Sequence, residues 1–137
     1  MSLETFIMPT GHCFDDALDL ISELLQGAET PEALADRLML VHGICLAPDG
    51  HPYAHAWVED EDRCLFRGVL AGEAHSFAAH HAEYYAEARV QEVTRYSVRD
   101  AWAANRRHGT YGPWVPRYKA LCTQKQGAGR QETGPSR

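Results

Sequence analysis

Apolar positions near the amino end recur at helical spacing. After the breaker cluster Pro9-Thr10-Gly11, residues Phe14, Ala17, Leu18, Ile21, Leu24 and Leu25 fall three and four apart, with Asp15 and Asp16 in the first turn. This predicts a helix that begins near Cys13 and ends at Gln26-Gly27. Glu29-Thr30-Pro31-Glu32 then offers a threonine cap with proline at the first helical position, so a short second helix is expected to about Leu38. The pattern next shortens to that of strands. Residues Met39 to Leu46 are rich in Leu, Val and Ile, Tyr53 to Glu59 alternate, and Arg63 to Leu70 form a third apolar run. Pro48-Asp49-Gly50 and Asp60-Glu61-Asp62 separate them as turns, which predicts a three-stranded antiparallel meander.

The second half is more mixed. Glu73 to Ala88 sets Phe77, Tyr84 and Tyr85 among alanines and suits a helix, and Val90, Val93 and Tyr96 suggest a short strand. Ser97-Val98-Arg99-Asp100 resembles a helix cap, with a last short helix expected to stop at Gly109. From about Thr123 the chain is Gln, Gly, Arg, Thr, Pro and Ser, a composition that cannot offset the entropy of ordering. The expected organisation is one α+β domain over residues 1–122, with N-terminal helices on a small antiparallel sheet, followed by a disordered tail over 123–137.

Composition narrows the function classes. A chain of 137 residues with 45% apolar content suits one hydrophobic core rather than two. A formal charge of -6, spread with both signs along the chain, leaves no basic face for nucleic acid or anionic membrane. No stretch nears the roughly 18 apolar residues of a membrane span. The start MSLETFIMPTGHCFDD lacks a basic region and an apolar signal core. The expectation is a cytoplasmic protein, with export by a route that leaves no such signal as the alternative. The eight histidines lack metal-ligand spacing, and no phosphate-cradling glycine motif occurs, so neither metal nor cofactor is expected.

Four cysteines, Cys13, Cys45, Cys64 and Cys122, occur without a C-x-x-C pair. Cys45 and Cys64 lie in apolar strand-like runs and read as small hydrophobes, as does Cys122. Cys13 differs. In the first turn of a helix it meets unpaired backbone N–H groups and the positive end of the dipole, both of which favour thiolate. A nucleophilic thiol needs a base, and His55 opens His55-Ala56-Trp57-Val58-Glu59, in which His55, Trp57 and Glu59 share one strand face. Taken singly, Cys13 also reads as a helix-start core residue and His55 as a half-buried strand residue. His42 reads as a packing residue, Trp57 as core with the wall of a substrate cleft as the alternative, the Tyr111-Gly112-Pro113-Trp114 segment as packing with a partner anchor at Trp114 as the alternative, and His12 as either an oxyanion donor or a loop histidine.

The runs Gly11-His12-Cys13-Phe14, Leu40-Val41-His42-Gly43 and His55-Ala56-Trp57-Val58-Glu59 resemble small bacterial and phage proteins of the papain-like and transglutaminase-like cysteine-hydrolase superfamily. The resemblance covers about the first seventy residues. It implies a papain-like core, with Cys13 as nucleophile and His55 as general base. The pattern departs at the third member, usually Asp or Asn on the strand after the histidine. That strand reads Arg63-Cys64-Leu65-Phe66-Arg67-Gly68. Glu59, or Asp60 or Asp62 in the turn, is the available substitute, although two residues along a strand span roughly 6.5 Å. Two readings follow. One is a peptidase, amidase, deamidase or acyl-transfer enzyme acting on a peptide, protein or small amide; the other is an inactive relative of the same fold that serves as a binding or accessory protein. Oligomeric state is not legible in these patterns.

Overall fold

The computed structural model describes residues 12–129, with side chains described through Cys122. Among the described residues the elements run α1 (Cys13–Gln26), α2 (Pro31–Arg37), β1 (Leu38–Leu46), β2 (Pro52–Asp60), β3 (Arg63–Leu70), β4 (Glu73–His80), α3 (His81–Ala88), β5 (Val90–Ser97), α4 (Val98–His108) and α5 (Pro116–Gly129). The protein is α+β. Its five strands form one antiparallel sheet in the order β4-β3-β2-β1-β5.

The first helix forms where the apolar stripe puts it, burying Ala17, Leu18, Leu20 and Ile21. Proline opens α2 as expected, but Thr30, at the cap position, makes no side-chain cap hydrogen bond. The strands β1, β2 and β3 lie side by side as the meander requires. Ser97 caps α4, its hydroxyl accepting from the Asp100 N–H at 3.1 Å, and Gly109 ends the helix at φ 71°. The backbone remains helical from Pro116 through Thr123 to Gly129; the rest of the expected tail, 130–137, lies outside the described residues, as does the breaker cluster before His12.

The segment 73–88 differs from its expectation as one helix. Its first half is β4, paired with β3 from Leu70↔Glu73 to Arg63↔His80, and only His81–Ala88 is helical. Ala71 (φ 56°) and Gly72 (φ 84°) both take left-handed backbone, the conformation of a two-residue hairpin turn. That turn returns the chain along β3, and the ladder then outweighs the helical preference of the alanines.

Alternation along β2 assigns two faces. Ala56 and Val58 join Leu38 and Leu40 beneath α1 and α4, with Leu18, Ile21, Val98, Ala101 and Trp114. Trp57 joins Val41, Cys45 and Cys64 on the other face, against Tyr84 and Ala88 of α3. At roughly 1.5–3 kcal/mol for each large apolar side chain fully buried, both clusters contribute heavily to holding the layers together. Gly43 of β1 makes room for the Trp57 indole: a Cβ there would lie 2.9 Å from Trp57 Cη2 and 2.7 Å from the Glu92 carbonyl oxygen.

One join in the sheet is short. The β1–β2 ladder runs for nine pairs and the β3–β4 ladder for eight, but β2 pairs with β3 only at Val58↔Leu65, Glu59↔Cys64 and Asp60↔Arg63. Among the described residues no ladder pair joins 52–57 to 66–70. The helix α1 passes diagonally over this region, from His42 of β1, against which Phe14 packs at 4.8 Å, to Arg67 of β3, which pairs with Glu23.

Candidate active site

The half-buried Cys13 is the first residue of α1, and His12 precedes it as the exposed cap residue without a side-chain cap bond. The first intrahelical bond runs from the Asp16 N–H to the His12 carbonyl at 2.8 Å, so the N–H groups of Cys13, Phe14 and Asp15 precede the helix ladder. These donors and the dipole favour a thiolate or an oxyanion. Asp15 and Asp16 oppose them in the same turn. A dipole effect of about 0.3–1 kcal/mol faces two nearby carboxylates, so a reactive thiol at this position depends on a base.

His55 lies in the β2 row with Tyr53, Trp57 and Glu59, its ring 5.7 Å from that of Tyr53 and 5.6 Å from that of Trp57. Its Nε2 is 2.9 Å from the Tyr84 hydroxyl, a hydrogen bond in which either group donates according to the imidazole tautomer. Tyr84 comes from α3 and is 5% exposed. Its ring is held between Phe66 of β3, at 5.0 Å, and Trp57 of β2, at 5.4 Å, and so fills the angle where the two strands part. Burial raises the Tyr84 phenol far above its ordinary range; the Cys45 and Cys64 thiols, the Tyr53 phenol and the Cys13 thiol lie near enough to add to the effect. Cys13 belongs to α1, which packs on the Ala56–Val58 face of β2, and His55 to the opposite row, where it bonds to the Tyr84 phenol.

Glu59 shares the His55 face as alternation requires, but its carboxylate is held elsewhere. It accepts from Trp57 Nε1 at 3.0 Å, from the Tyr85 hydroxyl at 2.5 Å and from Arg95 Nε at 3.0 Å, and His81 Nε2 is 3.5 Å away. Burial pushes the Glu59 carboxyl up, and the bonds from Tyr85, Trp57 and Arg95 more than reverse this, leaving it below the ordinary carboxylate range. Asp60 is on the opposite face in a two-point contact with Arg37, at 2.8 and 3.1 Å. Asp62 lies 3.8 Å from His80. The three carboxylates that sequence offers as partners of His55 thus have contacts of their own, and the group on Nε2 is a tyrosine 29 residues further along the chain.

His42 is the histidine on the α1 face, and it is no base. It is fully buried between Phe14, Tyr96 and Trp114, with ring centroids 4.8, 5.2 and 4.9 Å away, and neither nitrogen has a hydrogen-bond partner. Burial lowers its pKa to about 3, which keeps it neutral. Trp57 is core, fully buried with its N–H on Glu59. Cys64 is buried too, and its thiol is pushed up to about 12 by burial and by the charge of Glu59. Among the described residues no group of three or more His, Cys, Asp or Glu is arranged to hold a metal ion.

No family model, curated protein or solved structure matches the chain. The chemistry of the site therefore rests on its geometry. Among the described residues no helix is long and apolar enough to cross a membrane.

Proposed function

We propose that the protein is a thiol hydrolase or acyl-transfer enzyme in which Cys13 is the nucleophile and His55 the general base. The reading is supported by the placement of Cys13 as the first residue of α1, ahead of the helix ladder, and by His55 on β2 with its Nε2 2.9 Å from the buried Tyr84 hydroxyl. His55 takes the thiol proton, and the thiolate attacks the carbonyl carbon of an amide or ester. The first-turn N–H groups of α1 face the oxyanion. As the C–N or C–O bond breaks, the imidazolium returns its proton to the leaving group. Water or an amine then attacks the thioester, giving an acid or a new amide and restoring the thiol. A papain-like core is the fold reading that goes with this chemistry.

One observation favours the alternative, a binding or accessory protein that keeps the fold without the reaction. The core contacts of α1 are with the Ala56–Val58 face of β2, and His55 belongs to the opposite row. Iodoacetamide labelling of each cysteine against pH, read by mass spectrometry, separates the two. For the enzyme, Cys13 labels fastest, with an apparent pKa below the ordinary ~8.5, and His55→Ala slows it. Labelling of Cys13 no faster than that of Cys64, unchanged by His55→Ala, excludes the enzyme.

A further inference from the structure

We propose that Tyr84 is the positioning residue of His55, filling the role that the strand after the histidine leaves without a carboxylate or amide. The inference rests on the reading of Cys13 and His55 as nucleophile and base.

A third member must touch the imidazole nitrogen remote from the thiol, be fixed itself, and keep its contact when the ring gains a proton. Tyr84 touches the ring, with its hydroxyl 2.9 Å from Nε2, and with Nε2 so engaged the reading of His55 as base assigns the thiol proton to Nδ1. Tyr84 meets the second condition through packing: the ring is wedged between Trp57 and Phe66 and lies within 17° of parallel to His55. The helix that carries it is pinned at its start, where the His81 N–H donates to the Asp62 carbonyl at 2.7 Å and His80 Nδ1 accepts from the Ala82 N–H at 3.2 Å.

The third condition is met by the chemistry of a hydroxyl, which both donates and accepts. For His55 to take a thiol proton at Nδ1, its own proton must sit on Nε2 and be donated to the Tyr84 oxygen. The imidazolium formed by the transfer keeps that Nε2–H···O bond and carries the new proton on Nδ1, from which it passes to the leaving group. With the proton on Nε2, one contact thus holds the ring orientation both before the proton moves and afterwards. A neutral phenol brings no negative charge to the imidazolium, so it orients the ring without stabilising the ion pair as a carboxylate would. Glu59, the carboxylate nearest in the row, is held by Trp57, Tyr85 and Arg95.

The test uses Tyr84→Phe, which keeps the ring and its packing and removes only the hydroxyl, in the full chain. Cys13 alkylation is followed against pH, and the His55 tautomer is read from long-range proton–nitrogen spectra. Wild type should show the Nε2–H tautomer. The variant should show a mixture, with Cys13 labelling at pH 7 slowed roughly tenfold, about the loss of one buried hydrogen bond, and its thiolate limb moved to higher pH. Fast, His55-dependent labelling in wild type that Tyr84→Phe leaves unchanged, with an unchanged tautomer, overturns the role of Tyr84 and leaves the hydrolase reading standing. Slow labelling indifferent to His55→Ala overturns both. Should the variant fail to fold, a wild-type His55 carrying its proton on Nδ1 overturns the proposal by itself.

Discussion

Replacing His42 by leucine should change how the stability of the protein responds to acid. In the folded chain the imidazole is sealed among Phe14, Tyr96 and Trp114, without a hydrogen-bond partner on either nitrogen, and its pKa falls from 6.5 to about 3. The unfolded chain binds this proton near pH 6.5 and the folded chain does not. The group therefore contributes fully above pH 6.5, and the contribution is lost as the pH falls towards 3. A difference of about 3.5 units at ~1.4 kcal/mol each sets a limit of about 5 kcal/mol near pH 3, and about 2 kcal/mol is already lost at pH 5. Tyr96, the titratable neighbour in the cage, is itself raised by burial and stays neutral throughout this range. Urea unfolding followed by tryptophan fluorescence at pH 8, 7, 6 and 5, in wild type and His42→Leu, isolates the term as a difference. The wild-type curve should lose about 2 kcal/mol more than the variant between pH 8 and pH 5. At pH 8 the variant should equal or exceed wild type, because leucine fills the cage without unsatisfied nitrogens. Parallel curves for the two proteins would refute the reasoning.

Two further perturbations test the other face of the sheet. Gly43→Ala should destabilise by about 1–3 kcal/mol in chemical unfolding, because the new methyl meets the Glu92 carbonyl and the Trp57 ring closer than contact distance; an unchanged midpoint would show that the indole can move aside. Glu59→Gln keeps the shape but removes the charge facing Arg95, and should cost roughly 1–2 kcal/mol at pH 7. Because Glu59 titrates below its ordinary 4.5 when folded, its contribution is present above that value and is lost as the pH falls through the folded pKa. Below pH 4.5 the wild type should therefore lose more stability than the glutamine variant, over and above the His42 loss that both proteins share.

Where neighbouring residues settle the conformation, the elements were legible in the sequence. The stripe from Ala17 to Ile21, the alternation of β2 and the Ser97 cap each reappear in the structure as their spacing requires. The strand β4 was not, for a physical reason: its residues are mostly exposed on the outer edge of the sheet, so no apolar alternation marks it, and the pairing with β3 that makes it a strand is not local. The site shows the same division. The spacing of His55 and Glu59 correctly gave them one face, but which side chain reaches which nitrogen depends on α3 folding back over the sheet. Tyr84 carries no motif of its own. Its signal was only an aromatic pair, Tyr84-Tyr85, in a segment whose first half was misread as helix, and that misreading moved the pair away from β2.

The three-pair join between β2 and β3 has a consequence for motion. Beyond Val58 and Leu65, side chains tie β3, β4 and α3 to the rest of the fold, through the Glu23–Arg67 ion pair, the aromatic contacts of Tyr84 and the bond from Tyr85 to Glu59, while the end of α3 is also anchored where the Leu46 N–H donates to the Arg89 carbonyl at 3.3 Å. Such a unit opens as a block at lower free energy than the strands laddered along their full length. The amides of β3 and β4 should then lose hydrogen-exchange protection together, ahead of those shared by β1 and β2. The same hinge would lift Tyr84 away from His55, so the stiffness of a three-residue join governs how steadily the imidazole is aimed.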